Sequence, residues 1–136
     1  MQPGTRRPVR VLMVEDCADM LFLMKTELEW LGYAMEVADN GVDGLRLARA
    51  SQPDVVVSDI QMPGIDGFEF VRQVRQIPEL EAIPAIALTG WDLGRRGKVL
   101  DYGFDAQLSK PVDAAELSAL IDLFAYRTRT RLSRAS

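Results

Sequence analysis

The chain has no histidine and a single cysteine, Cys17. Without histidine it lacks the usual general base, the usual nitrogen ligand for a metal and any phosphohistidine of its own. One cysteine excludes an internal disulfide and fits a reducing compartment, so a cytoplasmic location is expected. No apolar run approaches the roughly 18–20 residues of a membrane span. Met1 to Arg10 lacks the apolar centre of a secretory signal. There is no internal repeat and no sign of a second domain.

What is present is one globular domain's worth of chain. Its 136 residues are 48% hydrophobic and 26% charged, enough to bury a core. The net charge of −4 conceals an asymmetry. Arg6, Arg7 and Arg10 stand at the front and Arg127, Arg129, Arg131 and Arg134 at the back; setting those seven aside leaves nine basic against 20 acidic groups, a middle of −11. An acidic body with basic ends does not suit nucleic-acid binding. Residues 1–8 read as a flexible lead, 9–126 as the domain and 127–136 as a basic, frayed tail.

The chain centres on Val55-Val56-Val57-Ser58-Asp59 followed by Met62-Pro63-Gly64 and Asp66-Gly67. A β-branched run of this kind reads as a strand buried on both faces. The residues after it are turn formers, so Asp59 is delivered to a strand's C-terminal lip. Taken alone, Asp59 reads equally well as a turn or helix cap. Further strands are expected at Val9–Val14, Tyr33–Ala38, Pro84–Leu88 and Ala106–Ser109. Helices are expected near 18–31, 42–50, 68–76, 91–102 and 114–126, the first capped by Asp16 or Asp19 and the last by Asp113. Met20, Met24, Leu28 and Leu31 form the first helix's apolar stripe, widened by Leu21, Phe22 and Leu23; Cys17 reads as a buried or half-buried filler. Five strands alternating with five helices imply a parallel sheet, right-handed crossovers and a three-layer α/β sandwich.

In a parallel sheet the strand C-terminal ends share one edge, where ligands bind. That edge would gather Glu15 and Asp16 from the first strand, Asp59 from the third, Thr89 from the fourth and Lys110 from the fifth. Three clustered carboxylates repel, and a hard divalent cation relieves the repulsion. With oxygen donors alone, Mg²⁺ is the expected metal and Mn²⁺ a substitute. The same set suits phosphoryl transfer to Asp59: the carboxylate is the nucleophile, Lys110 a point charge and Thr89 a hydroxyl donor to phosphate oxygens.

Glu15-Asp16, Asp59 with Met62-Pro63-Gly64 and Asp66-Gly67, Thr89-Gly90 and Lys110-Pro111, in that order, resemble the receiver domain of two-component response regulators. The resemblance covers about Val9 to Tyr126. It implies a flavodoxin-like sheet of order 2-1-3-4-5, with Asp59 accepting phosphate from a histidine kinase or phosphotransfer protein. It places Mg²⁺ on Asp16, Asp59 and the backbone carbonyl of Gln61, with Glu15 acting through water. Thr89 becomes the switch hydroxyl, Lys110 the phosphate-binding lysine, and the Lys110–Pro111 peptide bond cis. The fourth and fifth helices with the fifth strand would present the changed face to an output protein, in a monomer or a weak dimer.

One position departs from the pattern. Many receivers carry an aromatic residue three before the lysine, and Gln107 stands here; the run from Gly103 to Asp113 looks more like receivers attached to hybrid histidine kinases. Gln61 and Trp91 occupy positions that tune acyl-phosphate lifetime in the family. Trp91 either hinders the in-line water or packs on the following helix. Two other functions fit less well. A receiver-like scaffold binding partners without phosphate would not need the intact acids, Thr89 and Lys110. An aspartyl-phosphate phosphatase of the haloacid dehalogenase type would need an acid where Gln61 stands. The expectation is therefore a signalling receiver and not an enzyme beyond its own phosphorylation and dephosphorylation.

Overall fold

The computed structural model describes residues 7–90 and 99–135, with side chains to residue 129. Its elements are β1 (Arg10–Val14), α1 (Ala18–Trp30), β2 (Ala34–Ala38), α2 (Gly41–Ser51), β3 (Val55–Asp59), α3 (Gly67–Arg75), β4 (Ala85–Thr89), β5 (Ala106–Ser109) and a last helix, Ala114–Ala135. The five strands are all parallel in the order β2-β1-β3-β4-β5, the expected flavodoxin-like sheet. Short 3₁₀ turns cover Pro78–Leu80 and Val99–Tyr102. The expected helix over 91–102, with Trp91, Gly94 and Gly97, falls mostly outside the described residues.

Side-chain alternation divides the core in two. Val11, Met13, Val55, Val57, Ile86 and Leu88 face one way and meet Met24 and Leu28 of α1 and Leu117, Ile121 and Ala125 of the last helix. Leu12, Val14 and Val56 face the other way, against Leu45 and Ala48 of α2 and Phe70 and Val74 of α3. Every residue of β3 and β4 is buried. This explains their unbroken apolar runs. Gly44 lets α2 approach closely, since a β-carbon there would lie 2.8 Å from Val14 Cγ2 and 3.0 Å from Phe70 Cε1.

Four expectations need correction. Phe22, Leu23 and Leu31 do not join the core and are 71%, 51% and 53% exposed. Cys17 is exposed as well. Neither Asp16 nor Asp19 caps α1: Cys17 is its N-cap residue and makes no side-chain cap bond. The last helix does not stop at Tyr126 but runs on to Ala135. No glycine or proline interrupts Arg127 to Arg134. Arg129 adds an anchor, donating to the carbonyls of Arg7 and Pro8, both at 3.2 Å, and lying 3.5 Å from Asp54 Oδ2.

Tyr33 links α1's far end to the last helix. Its hydroxyl donates to Asp122 Oδ1 at 2.5 Å and lies 2.7 Å from Ser118 Oγ. Burial, and then the bond to Asp122, push the phenol up to about 12. The folded chain thus holds this proton more tightly than the unfolded one, so the contribution is whole below the unfolded pKa near 10 and is lost as the pH rises through about 12. Tyr33→Phe is expected to cost about 1 kcal/mol in urea unfolding at neutral pH. It should also remove a tyrosine ionisation near pH 12 from the ultraviolet titration.

Candidate acidic site at the sheet edge

Strand register brings the site together. Val14 pairs with Ser58, so the residues that follow, Glu15 and Asp59, emerge side by side. β4 carries Thr89 one step beyond Leu88, the partner of Asp59. The amide of Lys110 donates to the Thr89 carbonyl at 2.8 Å, which turns the chain back over the edge after β5. The Lys110–Pro111 peptide is cis, as expected.

Backbone amides orient the acids. Asp59 Oδ1 accepts from the Ile60 N–H at 2.8 Å. Glu15 Oε2 accepts from the Cys17 N–H at 3.0 Å. Lys110 Nζ lies between the two carboxylates, 3.1 Å from Asp59 Oδ2 and 3.2 Å from Glu15 Oε1. The second contact is an ion contact without hydrogen-bond alignment, and no donor among the described residues reaches that buried oxygen in hydrogen-bond geometry. Glu15, Asp16 and Asp59 each offer a carboxylate oxygen, and the three lie within 4.8 Å of one another. Glu15 and Asp59 are buried while Asp16 is open to solvent.

The electrostatics follow from this crowding. Burial, helped by the Asp59 charge, raises the Glu15 carboxyl above its ordinary range, against the opposing pull of the Cys17 amide and Lys110. Burial alone would lower Lys110; the hydrogen bond it donates to Asp59 and the charges of Asp59 and Glu15 outweigh it and raise the ammonium. Among the described residues, the site is thus an anionic notch with one cation, Lys110, reaching into it.

The loop after β3 closes by its own backbone. The Gly67 N–H donates to the Ile60 carbonyl at 2.8 Å, and Asp66 caps α3 through the Glu69 N–H at 2.9 Å. Of the expected site residues, Glu15, Asp16, Asp59 and Lys110 come together. Thr89 is fully buried, its hydroxyl donating to the Leu108 carbonyl at 3.4 Å, along β5. Gln61 is exposed on the loop, and Gln107 is exposed on β5. The amides of Cys17 and Ile60, which hold the two buried acids, were missed; a backbone donor leaves no trace in side-chain identity.

A family model described as the response regulator receiver domain matches residues 11–122. The chain belongs to this family. It is 39% identical over 119 residues to the protein PilH of Pseudomonas aeruginosa, covering 83% of this chain and 94% of that one. Among solved structures it resembles a response regulator receiver domain from Clostridium thermocellum, with 29% identity, a TM-score of 0.82 and coverage of 90% and 98% of the two chains. It also resembles the receiver domain of the sensor histidine kinase PA1611 from Pseudomonas aeruginosa, with 28% identity, a TM-score of 0.80 and coverage of 87% and 98%. That structure has a magnesium ion coordinated in its active-site cleft. The acidic notch of the present receiver lies at the C-terminal edge of β1 and β3. No described helix is long and apolar enough to cross a membrane.

Proposed function

We infer that this receiver accepts a phosphoryl group on Asp59, with Mg²⁺ in the acidic notch, from a histidine kinase or a phosphotransfer protein. The observation that carries the reading is the convergence of Glu15, Asp16, Asp59 and Lys110 at one sheet edge. The donor set fits a hard cation: three carboxylates, no imidazole, and a buried Glu15 oxygen without a hydrogen-bond donor. Asp16 and Asp59 would hold the ion with the Gln61 carbonyl, and Glu15 would act through water. When bound, Mg²⁺ neutralises charge on the transferring phosphoryl group and on the acids around it.

The chain's own residues supply the rest. Asp59 is oriented by the Ile60 amide at Oδ1, which leaves Oδ2, on the Lys110 side, to attack phosphorus. The new O–P bond gives an acyl phosphate, and the bonding pair to the old leaving group departs with that group. A carboxylate at neutral pH needs no base. Lys110, already at 3.1 Å from Asp59 Oδ2, exchanges that carboxylate oxygen for a phosphate oxygen. Thr89 gives up its long bond to the Leu108 carbonyl and donates to another phosphate oxygen. β5 feels that exchange directly, and Leu108 packs against the core that the last helix helps to form, so both form part of the face offered to an output protein. Gln107, exposed and not aromatic, leaves readout to the Thr89–Leu108 link.

The test is the intact mass after incubation with acetyl phosphate. One added phosphoryl group is expected with Mg²⁺ and none in excess chelator, with Asp16→Asn needing a higher Mg²⁺ concentration. Equal uptake with and without Mg²⁺ would remove the metal from the account. No uptake under any condition would favour a phosphate-independent binding domain.

A further inference from the structure

β3 begins with three valines, yet its fourth residue is a serine. Ser58 is fully buried, between Val14 of β1 on one side and Ala87 of β4 on the other. Alanine or valine would suit such a slot. A hydroxyl there gives up water, a loss unless it finds a partner. Among the described residues its hydrogen bond goes one residue forward: Ser58 Oγ donates to the Asp59 carbonyl at 2.8 Å.

That carbonyl belongs to the peptide unit whose other end is the Ile60 N–H, and the Ile60 N–H donates to Asp59 Oδ1 at 2.8 Å. One rigid plane thus carries two bonds, the Ser58 hydroxyl at its oxygen and the Asp59 carboxylate at its nitrogen. Turning the plane turns the carboxylate. Gly67 limits that turning, because it packs so near that a β-carbon there would lie 2.3 Å from the Asp59 carbonyl oxygen. The Gly67 N–H also fixes the next carbonyl, that of Ile60, at 2.8 Å. Donation from Ser58 draws electron density toward the carbonyl oxygen and makes the Ile60 N–H a better donor, since hydrogen bonds in a chain polarise one another.

We propose that Ser58 is a positioning residue for phosphoryl uptake: through the 59–60 peptide plane it ties Asp59 Oδ1 to the backbone and aims Oδ2 at phosphorus. This role rests on Asp59 being the phosphoryl acceptor. Ser58 itself acts through Asp59 and does not touch the reacting atoms.

Two substitutions and two readouts test it. Ser58→Ala removes the hydroxyl, and Ser58→Cys keeps a side chain of similar shape with a weaker donor. Uptake is followed with acetyl phosphate and Mg²⁺. Both variants are expected to take up phosphate about tenfold more slowly at saturating acetyl phosphate, with the half-saturating concentration little changed, because alignment is lost and binding is not. In the chain alone, the NMR scalar coupling across the hydrogen bond from the Ile60 amide nitrogen to the Asp59 carboxyl carbon should weaken in both. Ser58→Cys with the wild-type rate and coupling would show that the serine only fills space, and would overturn the proposal. So would Ser58→Ala with the wild-type coupling, whatever its rate. A wild type that takes up no phosphate would instead overturn Asp59 as acceptor, and the coupling would still decide whether Ser58 orients that carboxylate.

Discussion

Gly67→Ala is expected to destabilise the receiver by about 3 kcal/mol and to impair the acidic site at the same time. A β-carbon at position 67 would lie 2.3 Å from the Asp59 carbonyl oxygen and 2.8 Å from Ile60 Cα. Both neighbours are backbone, so no side chain can swing aside. The start of α3 must withdraw from the end of β3, which strains the bond from the Gly67 amide to the Ile60 carbonyl. Asp59 is the residue displaced. The melting temperature should fall by about 10 °C for a domain of this size. Phosphoryl uptake by the folded fraction should fall as well. Gly64 is the control on the same loop. It has a φ of +79° and open space where a β-carbon would go, so Gly64→Ala carries only the conformational cost, about 1 kcal/mol. Equal costs at the two positions would show that close packing behind Asp59 is not what requires Gly67.

Lys110→Ala should produce the other large effect, a loss of about 2 kcal/mol in the absence of divalent cations. Removing one partner of a fully buried ion pair costs about 3–5 kcal/mol. The lower figure applies because the Lys110 side chain is 30% exposed and water can approach it. What remains is two buried carboxylates, Glu15 and Asp59, with no cation between them among the described residues. Two rescues follow. Mg²⁺ should restore more stability to Lys110→Ala than to the wild type, because it replaces the missing charge. Adding Glu15→Gln should restore part of the loss without metal, because it removes one of the stranded charges. Urea denaturation of the three chains with and without Mg²⁺ reads both. A loss that neither metal nor Glu15→Gln changes would mean that Lys110 contributes packing and not charge.

The parts of this architecture most visible in the sequence are those with two buried faces. Val55–Val57 and Ala85–Leu88 are continuous apolar runs because helices cover both sides of β3 and β4. Their ends were visible too, since Glu15, Asp59 and Thr89 break the runs abruptly, and the parallel topology then puts them on one edge. Less visible was anything that depends on which way a helix is turned. In α1 every position from Met20 to Met24 is apolar, so the helical period is blurred and Phe22 and Leu23 look like core. Cys17 is exposed for a related reason: its backbone amide is committed to Glu15, and its side chain is left at the open lip of the site. Past Tyr126 the apolar period stops, but the last helix does not, because Arg129 gains partners at the front of the chain that no local pattern encodes.

The central claim is that the carboxylate at position 59, and no other, takes the phosphoryl group. Reductive trapping tests it most directly. The chain is incubated with acetyl phosphate and Mg²⁺ and treated with borohydride, which reduces an acyl phosphate to the alcohol. Peptide mapping then locates the converted side chain. The expected result is homoserine at position 59 alone, abolished by Asp59→Asn. Conversion at Glu15 or Asp16, or trapping that survives Asp59→Asn, would contradict the assignment of Asp59 as the acceptor.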